Sequence, residues 1–159
     1  MQFTDHRFTV SEVSALTKTN LNTIQSWRRK GYFALDESEG WHRFTLSELF
    51  SVAVFAEVMA STGNQDVASS AAAMAVQMLT EIIEKEAAPY FVGSARKGEA
   101  PVMELTYGAH DVGRILASLI ENGTDSGAYV VVDYSAIFLR LFKRLHDDGY
   151  AEKKPEGIA

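Results

Sequence analysis

The sequence predicts an α+β fold that is mainly helical: a helix-turn-helix with a small hairpin, then a linking helix, then a small C-terminal ββαβα domain. Capping signals precede helical repeats near the N-terminus, and a long apolar stripe at helical spacing fills the middle of the chain. After Pro89, strand-like runs alternate with helical repeats. These changes place the predicted boundaries at 1–64, 65–89 and 90–150, with a flexible tail at 151–159.

The first two helices are predicted from the signals at their ends. Thr9 and Glu12 have the spacing of a capping box, in which the hydroxyl and the carboxylate each bind a free backbone N–H. After a short break, Thr19 or Asn20 can cap a second helix. Gly31 can end that helix because glycine tolerates the left-handed conformation. Two helices joined by such a short turn have the helix-turn-helix layout.

A hairpin, or wing, is predicted between residues 32 and 44, where two short extended pieces flank an acidic turn that ends in Gly40. Thr45 and Glu48 form a second capping box, which predicts a helix from Leu49 to about Ser61. The next helix is predicted over residues 65–88 and carries a broad apolar stripe, as does the last helix of the chain. The two stripes offer more apolar surface than a small sheet is expected to cover, which predicts a homodimer. Their residues are Val67, Ala71, Met74, Met78, Ile82, Phe138, Leu141, Phe142 and Leu145.

The last part of the chain predicts three strands and two helices. The strands are Tyr90–Val92, Val102–Tyr107 and Tyr129–Val132, with an amphipathic helix over Val112–Ile120 and a final helix that Ser135 can cap. We interpret this part as a dimerisation or protein-contact module. A small-molecule pocket lined by polar residues of the sheet is the alternative.

Composition excludes several classes of protein. The chain has 159 residues and no cysteine, so disulfides, thiolate metal sites and thiol nucleophiles are excluded. The absence of a secretory segment and of an apolar run of roughly 20 residues predicts a cytoplasmic protein without a membrane partner. The net charge of −6 argues against indiscriminate coating of polyanions. Residues 1–60, however, hold six Lys and Arg against seven Asp and Glu, so a local basic face can form there.

No catalytic or metal site is predicted, and no cofactor. The histidines lack metal-binding spacing. Residues 93–98 imitate the start of a phosphate loop, but Glu99 and Ala100 replace the required Lys and Ser or Thr, which favours a hairpin turn. An enzyme is therefore not expected.

The second helix has the residue types of a DNA-reading helix. Leu21 and Ile24 must face the core, which turns amide, hydroxyl and guanidinium side chains outward. Amides can pair with adenine edges and Arg with guanine, and the second helix of this motif is the one that enters the major groove. The alternative is that Arg28, Arg29 and Lys30 only complement the negative C-terminal end of the helix.

The order of these features resembles the winged helix-turn-helix of the MerR regulators over about residues 6–75. The matching residues are Phe8-Thr9-Val10-Ser11-Glu12-Val13, Thr17, Thr23-Ile24, Gly31 and Arg43-Phe44-Thr45. Ser26-Trp27 replaces the family's aromatic pair, and Trp27 followed by Gly31 is closer to excisionase and AlpA-like proteins. The resemblance implies DNA contacts from the second helix, its flanks and the wing, namely Thr19, Asn22, Thr23, Gln25, Ser26, Arg28, Arg29, Lys30, His42 and Arg43. Trp27 and Trp41 are interpreted as packing residues.

The function that the resemblance implies is a sequence-specific transcriptional regulator of the bacterial or phage type. It would act as a nucleoid-associated homodimer on double-stranded DNA with an inverted repeat, with RNA polymerase or another protein as a further partner. Two alternative functions remain open. One is an excisionase-like architectural protein that bends DNA, and the other is a protein-interaction adaptor that retains the winged fold.

Overall fold

The computed structural model describes residues 6–33, 43–94, 102–122 and 129–150. Within these ranges the fold is α+β and mainly helical, as predicted. The elements in chain order are α1 (Val10–Thr17), α2 (Leu21–Arg29), α3 (Leu46–Thr62), α4 (Gln65–Lys85), β1 (Pro89–Ser94), β2 (Val102–Tyr107), α5 (Ala109–Glu121), β3 (Tyr129–Asp133) and α6 (Tyr134–Asp147). Most of the predicted hairpin, with Trp41 and His42, and the predicted tail at 151–159 lie outside the described residues.

Both predicted capping boxes are confirmed. The Glu12 carboxylate accepts the backbone N–H of Thr9 at 2.6 Å, and the Thr9 hydroxyl accepts that of Glu12 at 3.3 Å. Thr45 and Glu48 form the same pair of bonds at 2.6 and 3.1 Å. Each box satisfies two N–H groups that a helix start leaves without a partner, so α1 and α3 begin at defined residues.

Asn20, one of the two predicted candidates, caps α2. Its side-chain oxygen accepts the backbone N–H of Asn22 at 2.9 Å. The chain leaves α2 through Gly31 and ends α3 at Gly63, with φ of 66° and 63°. An L side chain rarely adopts this left-handed conformation, which is why both helices stop at glycine.

The apolar stripes that predict a dimer are covered within the chain itself. In α4, Val67, Ala71 and Met78 are at most 1% exposed, and in α6 Leu141 and Leu145 are 2% exposed. Of the remaining stripe residues, Phe138 belongs to the same core, and Met74, Ile82 and Phe142 pack against it. These contacts form because α3 and α6 lie against α4. A homodimer must therefore use another surface.

Several predicted helix ends are wrong. Helix α3 begins at Leu46, directly after its cap Thr45, rather than at Leu49. The cap of α6 is Asp133 rather than Ser135, because the helix already begins at Tyr134 and the Asp133 carboxylate accepts the N–H of Ala136 at 2.9 Å. The helix α4 ends at Lys85, before the predicted Ala88. Glu86 takes a left-handed conformation with φ of 51° there, and Pro89 begins β1.

The sheet is antiparallel throughout, with the strand order β2-β1-β3. Phe91 in the central strand lies beside Leu105 and Val132, and this face packs into the main helical core. The next residue, Val92, points to the other face, where it forms a small second core with Ile115 and Leu119 of α5. The sheet thus separates α5 from the other helices.

One continuous hydrophobic cluster crosses the predicted boundaries at residues 64 and 89. Phe50 of α3 contacts Tyr134 and Phe138 of α6, with ring centroids 6.4 and 5.9 Å apart. The Tyr134 hydroxyl donates a hydrogen bond of 2.8 Å to the carbonyl of Ala71 in α4. The last helix is therefore part of the same core as α1, α2 and α3.

Candidate nucleic-acid interface

The inner face of α2 is fixed by aromatic packing on α3. Ile24 is fully buried, and the Trp27 ring lies edge-on to Phe55 with centroids 4.7 Å apart. Tyr32 and Phe33, just beyond the helix, contact the same Phe55 ring at 5.7 and 5.8 Å. The interpretation of Trp27 as a packing residue is confirmed. Phe55 is the ring of α3 that all three side chains contact, and sequence reasoning did not single it out.

The outer face of α2 brings together four of the predicted DNA contacts. At 100° per residue, Asn22, Gln25, Ser26 and Arg29 fall within an arc of about 100°. Asn22, Gln25 and Arg29 are exposed, and Ser26 is half-buried. Arg28 is also exposed, but at 100° per residue it lies about 40° from the buried Ile24 and outside this arc. We call the four residues of the arc the α2 outer face. It offers amide and guanidinium groups to a groove without a carboxylate among them.

The other predicted contacts near α2 are placed differently. Thr23 is half-buried, and Lys30 follows the helix with its Nζ 5.6 Å from the centroid of the Tyr32 ring. Thr19 stands in the turn before α2, where its hydroxyl donates to the carbonyl of Thr17 at 3.4 Å. It lines a groove of about 280 Å³ between this turn, α3 and α6. The structure does not bring Thr19 to the α2 outer face.

Arg43 is exposed at the start of the segment that leads into α3. Its neighbour Phe44 is buried and pairs with Phe8 through two backbone hydrogen bonds of 2.8 Å. Because this bridge is antiparallel, Arg43 lies opposite Thr9, the cap of α1. The described part of the predicted wing thus contributes one exposed cation, while His42 lies outside the described residues.

The carboxylates among the described residues around α2 are engaged in other contacts. Residues 6–33 and 43–62 hold three of them, all Glu. Glu12 and Glu48 are engaged in the capping boxes, and Glu57 pairs with Arg140 of α6 at 2.8 Å. None of these three carboxylates therefore pairs with Arg28 or Arg29.

Helix α6 and the residues after it hold α1 in place, a contact for which the sequence gives no signal. Arg144 donates from Nη1 to the carbonyl of Leu16 at 2.7 Å, and the Tyr150 hydroxyl donates to Oε1 of Glu12 at 2.9 Å. The partners are 128 and 138 residues apart in the chain. These bonds link the C-terminal part of the chain to α1.

Glu12 makes this link dependent on pH. The backbone N–H of Thr9 is the largest cause that lowers the pKa of Glu12 below its ordinary value of 4.5. A carboxyl whose pKa is depressed by folding stabilises the fold above its unfolded pKa, and this stabilisation is lost as pH falls through the folded pKa. Glu12→Gln should therefore lower the free energy of unfolding at neutral pH. The difference from the parent chain should shrink as pH falls below about 4.5, in urea unfolding curves followed at a series of pH values.

The matched control is Glu121→Gln, an exposed residue at the end of α5. It should leave the free energy of unfolding at neutral pH nearly unchanged. An equal loss in both variants at neutral pH would contradict the role given to Glu12.

The described residues contain no group of three or more His, Asp or Glu side chains that could hold a metal ion. Every helix in the described ranges is too short or too polar to span a lipid bilayer. Comparison of the sequence with known protein families and with curated proteins finds no match in either. The resemblance to the MerR regulators therefore stays a prediction.

Proposed function

We propose that this chain is a sequence-specific DNA-binding transcriptional regulator that acts as a homodimer on an inverted repeat. In this proposal α2 enters the major groove and the residues around Arg43 contact the flanking backbone. The observation that carries it is the arrangement of α2. The Trp27 ring on the inner side of this helix packs on Phe55, and the α2 outer face presents polar and cationic groups to solvent. A helix with one rigidly packed side and one exposed amide-and-arginine side has the chemistry of base readout.

The small number of cations near the proposed DNA contact is the reason to propose that two copies of the chain bind together. One copy offers Arg28, Arg29, Lys30 and Arg43 near the proposed contact, which would neutralise few phosphates. A two-fold dimer doubles these contacts and matches the symmetry of an inverted repeat, so affinity and specificity both rise.

Selection from a random duplex library, followed by binding measurements over a range of salt, tests the proposal. A regulator should enrich one sequence motif and bind it more tightly than random duplex. An adaptor should show no affinity for either duplex even at low salt, and this outcome would end the proposal. An excisionase-like protein should bind a motif and also bend it, which energy transfer between the labelled duplex ends would reveal.

Two substitutions should separate base readout from backbone contact. Gln25→Ala should lose about 1–3 kcal/mol of discrimination at one base pair of the selected motif. Arg43→Ala should weaken binding to all duplexes and reduce the salt slope by roughly one unit per bound copy, because a phosphate contact carries no sequence information. The matched controls are the exposed Gln77→Ala in α4 and Arg114→Ala in α5. If Gln25→Ala and Arg43→Ala bind like these controls, the assignment of α2 and the wing is wrong.

A further inference from the structure

Strand β2 is an edge strand with an unusual share of exposed apolar side chains. Val102, Met103 and Tyr107 are 48%, 38% and 49% exposed. The other large exposed apolar side chains in the described residues lie singly on four different elements, at Val76, Ile120, Val131 and Leu139. Single exposed apolar residues are normal on a protein surface, whereas several on one edge strand indicate a contact.

The alternation of hydrogen-bonded pairs between β1 and β2 shows which backbone groups of β2 are available to pair with another strand. Gly108 donates its N–H to the carbonyl of Ala88 at 3.2 Å, so the residue pair just beyond β2 is hydrogen-bonded. Bonded and non-bonded pairs alternate along an antiparallel ladder. The backbone groups of Met103, Leu105 and Tyr107 therefore point away from β1, toward the free edge of the sheet.

The opposite edge of the sheet, formed by β3, is less suited to pairing with another strand. Strand β3 borders a groove of about 220 Å³, whose other wall carries Glu57, Ser61 and Arg140 from α3 and α6. A strand added at this edge would have to share the space with the ion pair between Glu57 and Arg140. The β2 edge is thus the better of the two for pairing.

We propose that the β2 edge pairs with β2 of a second copy of this chain, antiparallel, with Leu105 opposite Leu105 of the second copy. This proposal rests on the homodimer of the proposed function and assigns its interface. An antiparallel pair of identical strands is related by a two-fold axis, so the contact closes on itself. The two sheets become one of six strands, and no unpaired backbone groups remain at the joined edge.

The side chains of β2 complement themselves in this register. Met103 lies opposite Tyr107 of the second copy, and because of the two-fold axis this thioether–aromatic pair occurs twice. Glu104 lies opposite Thr106, so the two carboxylates do not face each other. A register shifted by four residues, with the two-fold axis at Met103 instead of Leu105, would place Met103 opposite Met103 and leave both Tyr107 rings outside the pairing.

Cysteine cross-linking tests the register of the two β2 strands. The chain has no cysteine of its own, so only the introduced cysteines can form disulfides. Opposite residues of a hydrogen-bonded pair have Cα atoms roughly 5.5 Å apart, within the range of a disulfide. An oxidised mixture of Met103→Cys and Tyr107→Cys chains should therefore form a covalent heterodimer. Met103→Cys alone should not cross-link, because in this register its two copies are separated by roughly 13 Å along the strands. Efficient cross-linking of Met103→Cys alone, or none in the mixture, would overturn the proposal.

Sedimentation of charged variants tests the choice of edge. Met103→Lys should shift the full chain from dimer to monomer at micromolar concentration, because a lysine on an edge strand opposes pairing. The matched control, Val131→Lys on the exposed side of β3, should leave the dimer intact. A monomeric parent chain, or a dimer that only Val131→Lys disrupts, would rule out the β2 edge.

These experiments need no DNA, so their outcome is independent of the DNA-binding proposal. A dimer that cross-links as expected but binds no duplex would leave the β2 edge standing and remove the proposed function. A parent chain that binds its selected motif as a monomer would remove both the β2 edge contact and the homodimer, and would leave only the sequence-specific DNA binding.

Discussion

Replacement of Phe55 by alanine is expected to lower the free energy of unfolding by about 3–5 kcal/mol and to weaken DNA binding further than this instability explains. The Phe55 side chain is fully buried and contacts the rings of Trp27, Tyr32 and Phe33. Removal of the ring leaves a cavity beneath α2, and the surrounding aromatic side chains can only partly fill it. The α2 outer face then loses its fixed orientation toward the groove.

The matched control for this prediction is Phe50→Ala, five residues earlier in the same helix. Phe50 is equally buried, but it contacts Tyr134 and Phe138 of α6 rather than α2. Both variants should lose similar stability, and only Phe55→Ala should lose DNA affinity at a temperature where both are folded. If either variant fails to fold, the leucine substitutions at the same positions allow the same comparison with a smaller cavity. Equal affinities in a folded pair would show that the packing on Phe55 does not orient α2.

The helix starts and stops were largely predictable because they depend on residues close together in the chain. The boxes at Thr9 and Thr45 involve partners three residues apart, and Gly31 and Gly63 act through their own backbone conformation. The cap of α6 was not predictable in this way. Asp133 ends β3 and caps α6 at once, so which of Asp133 and Ser135 serves depends on where the strand stops.

The partners of the apolar stripes could not be predicted, because periodicity reveals which face of a helix is apolar and not what covers it. Sequence reasoning assigned the stripes of α4 and α6 to a second copy of the chain. In the structure, the tight approach of small residues such as Ala68, Ala72 and Ala75 lets these helices cover each other and α3. The β2 edge, which we propose as the surface for a second copy, did not stand out in the sequence.

The candidate site shows the same division between local and long-range information. That Ile24 faces inward, and that Asn22 and Gln25 face outward, follows from helical spacing alone. The ring beneath α2 and the bonds from Arg144 and Tyr150 to α1 connect residues far apart in the chain, so no local pattern could indicate them. The main part of the predicted wing stays a prediction, because it lies outside the described residues.

Variants of Tyr134 are expected to show that residues 1–64 and the C-terminal part of the chain unfold together. Its ring is fully buried against Phe50, and its hydroxyl binds the carbonyl of Ala71. Burial raises the pKa of this hydroxyl, which therefore remains a donor at any ordinary pH. Tyr134→Phe should lower the free energy of unfolding by about 1 kcal/mol, since it removes one hydrogen bond. Tyr134→Ala should lower it by about 3–5 kcal/mol, since it also opens a cavity between α3, α4 and α6.

Unfolding in denaturant, followed by fluorescence and by far-ultraviolet circular dichroism, measures the loss in free energy of unfolding for both variants. It also shows which parts of the chain each variant destabilises. Both tryptophans, Trp27 and Trp41, lie within residues 1–64, so their fluorescence reports on that part of the chain alone, whereas circular dichroism reports on all helices. Because one hydrophobic cluster joins Phe55, Phe50 and Tyr134, the two signals should shift together in both variants and remain coincident. A fluorescence transition that stays at the parent midpoint while the circular dichroism transition moves would show instead that residues 1–64 fold independently of α6. The contacts of Tyr134 would then stabilise the C-terminal part only.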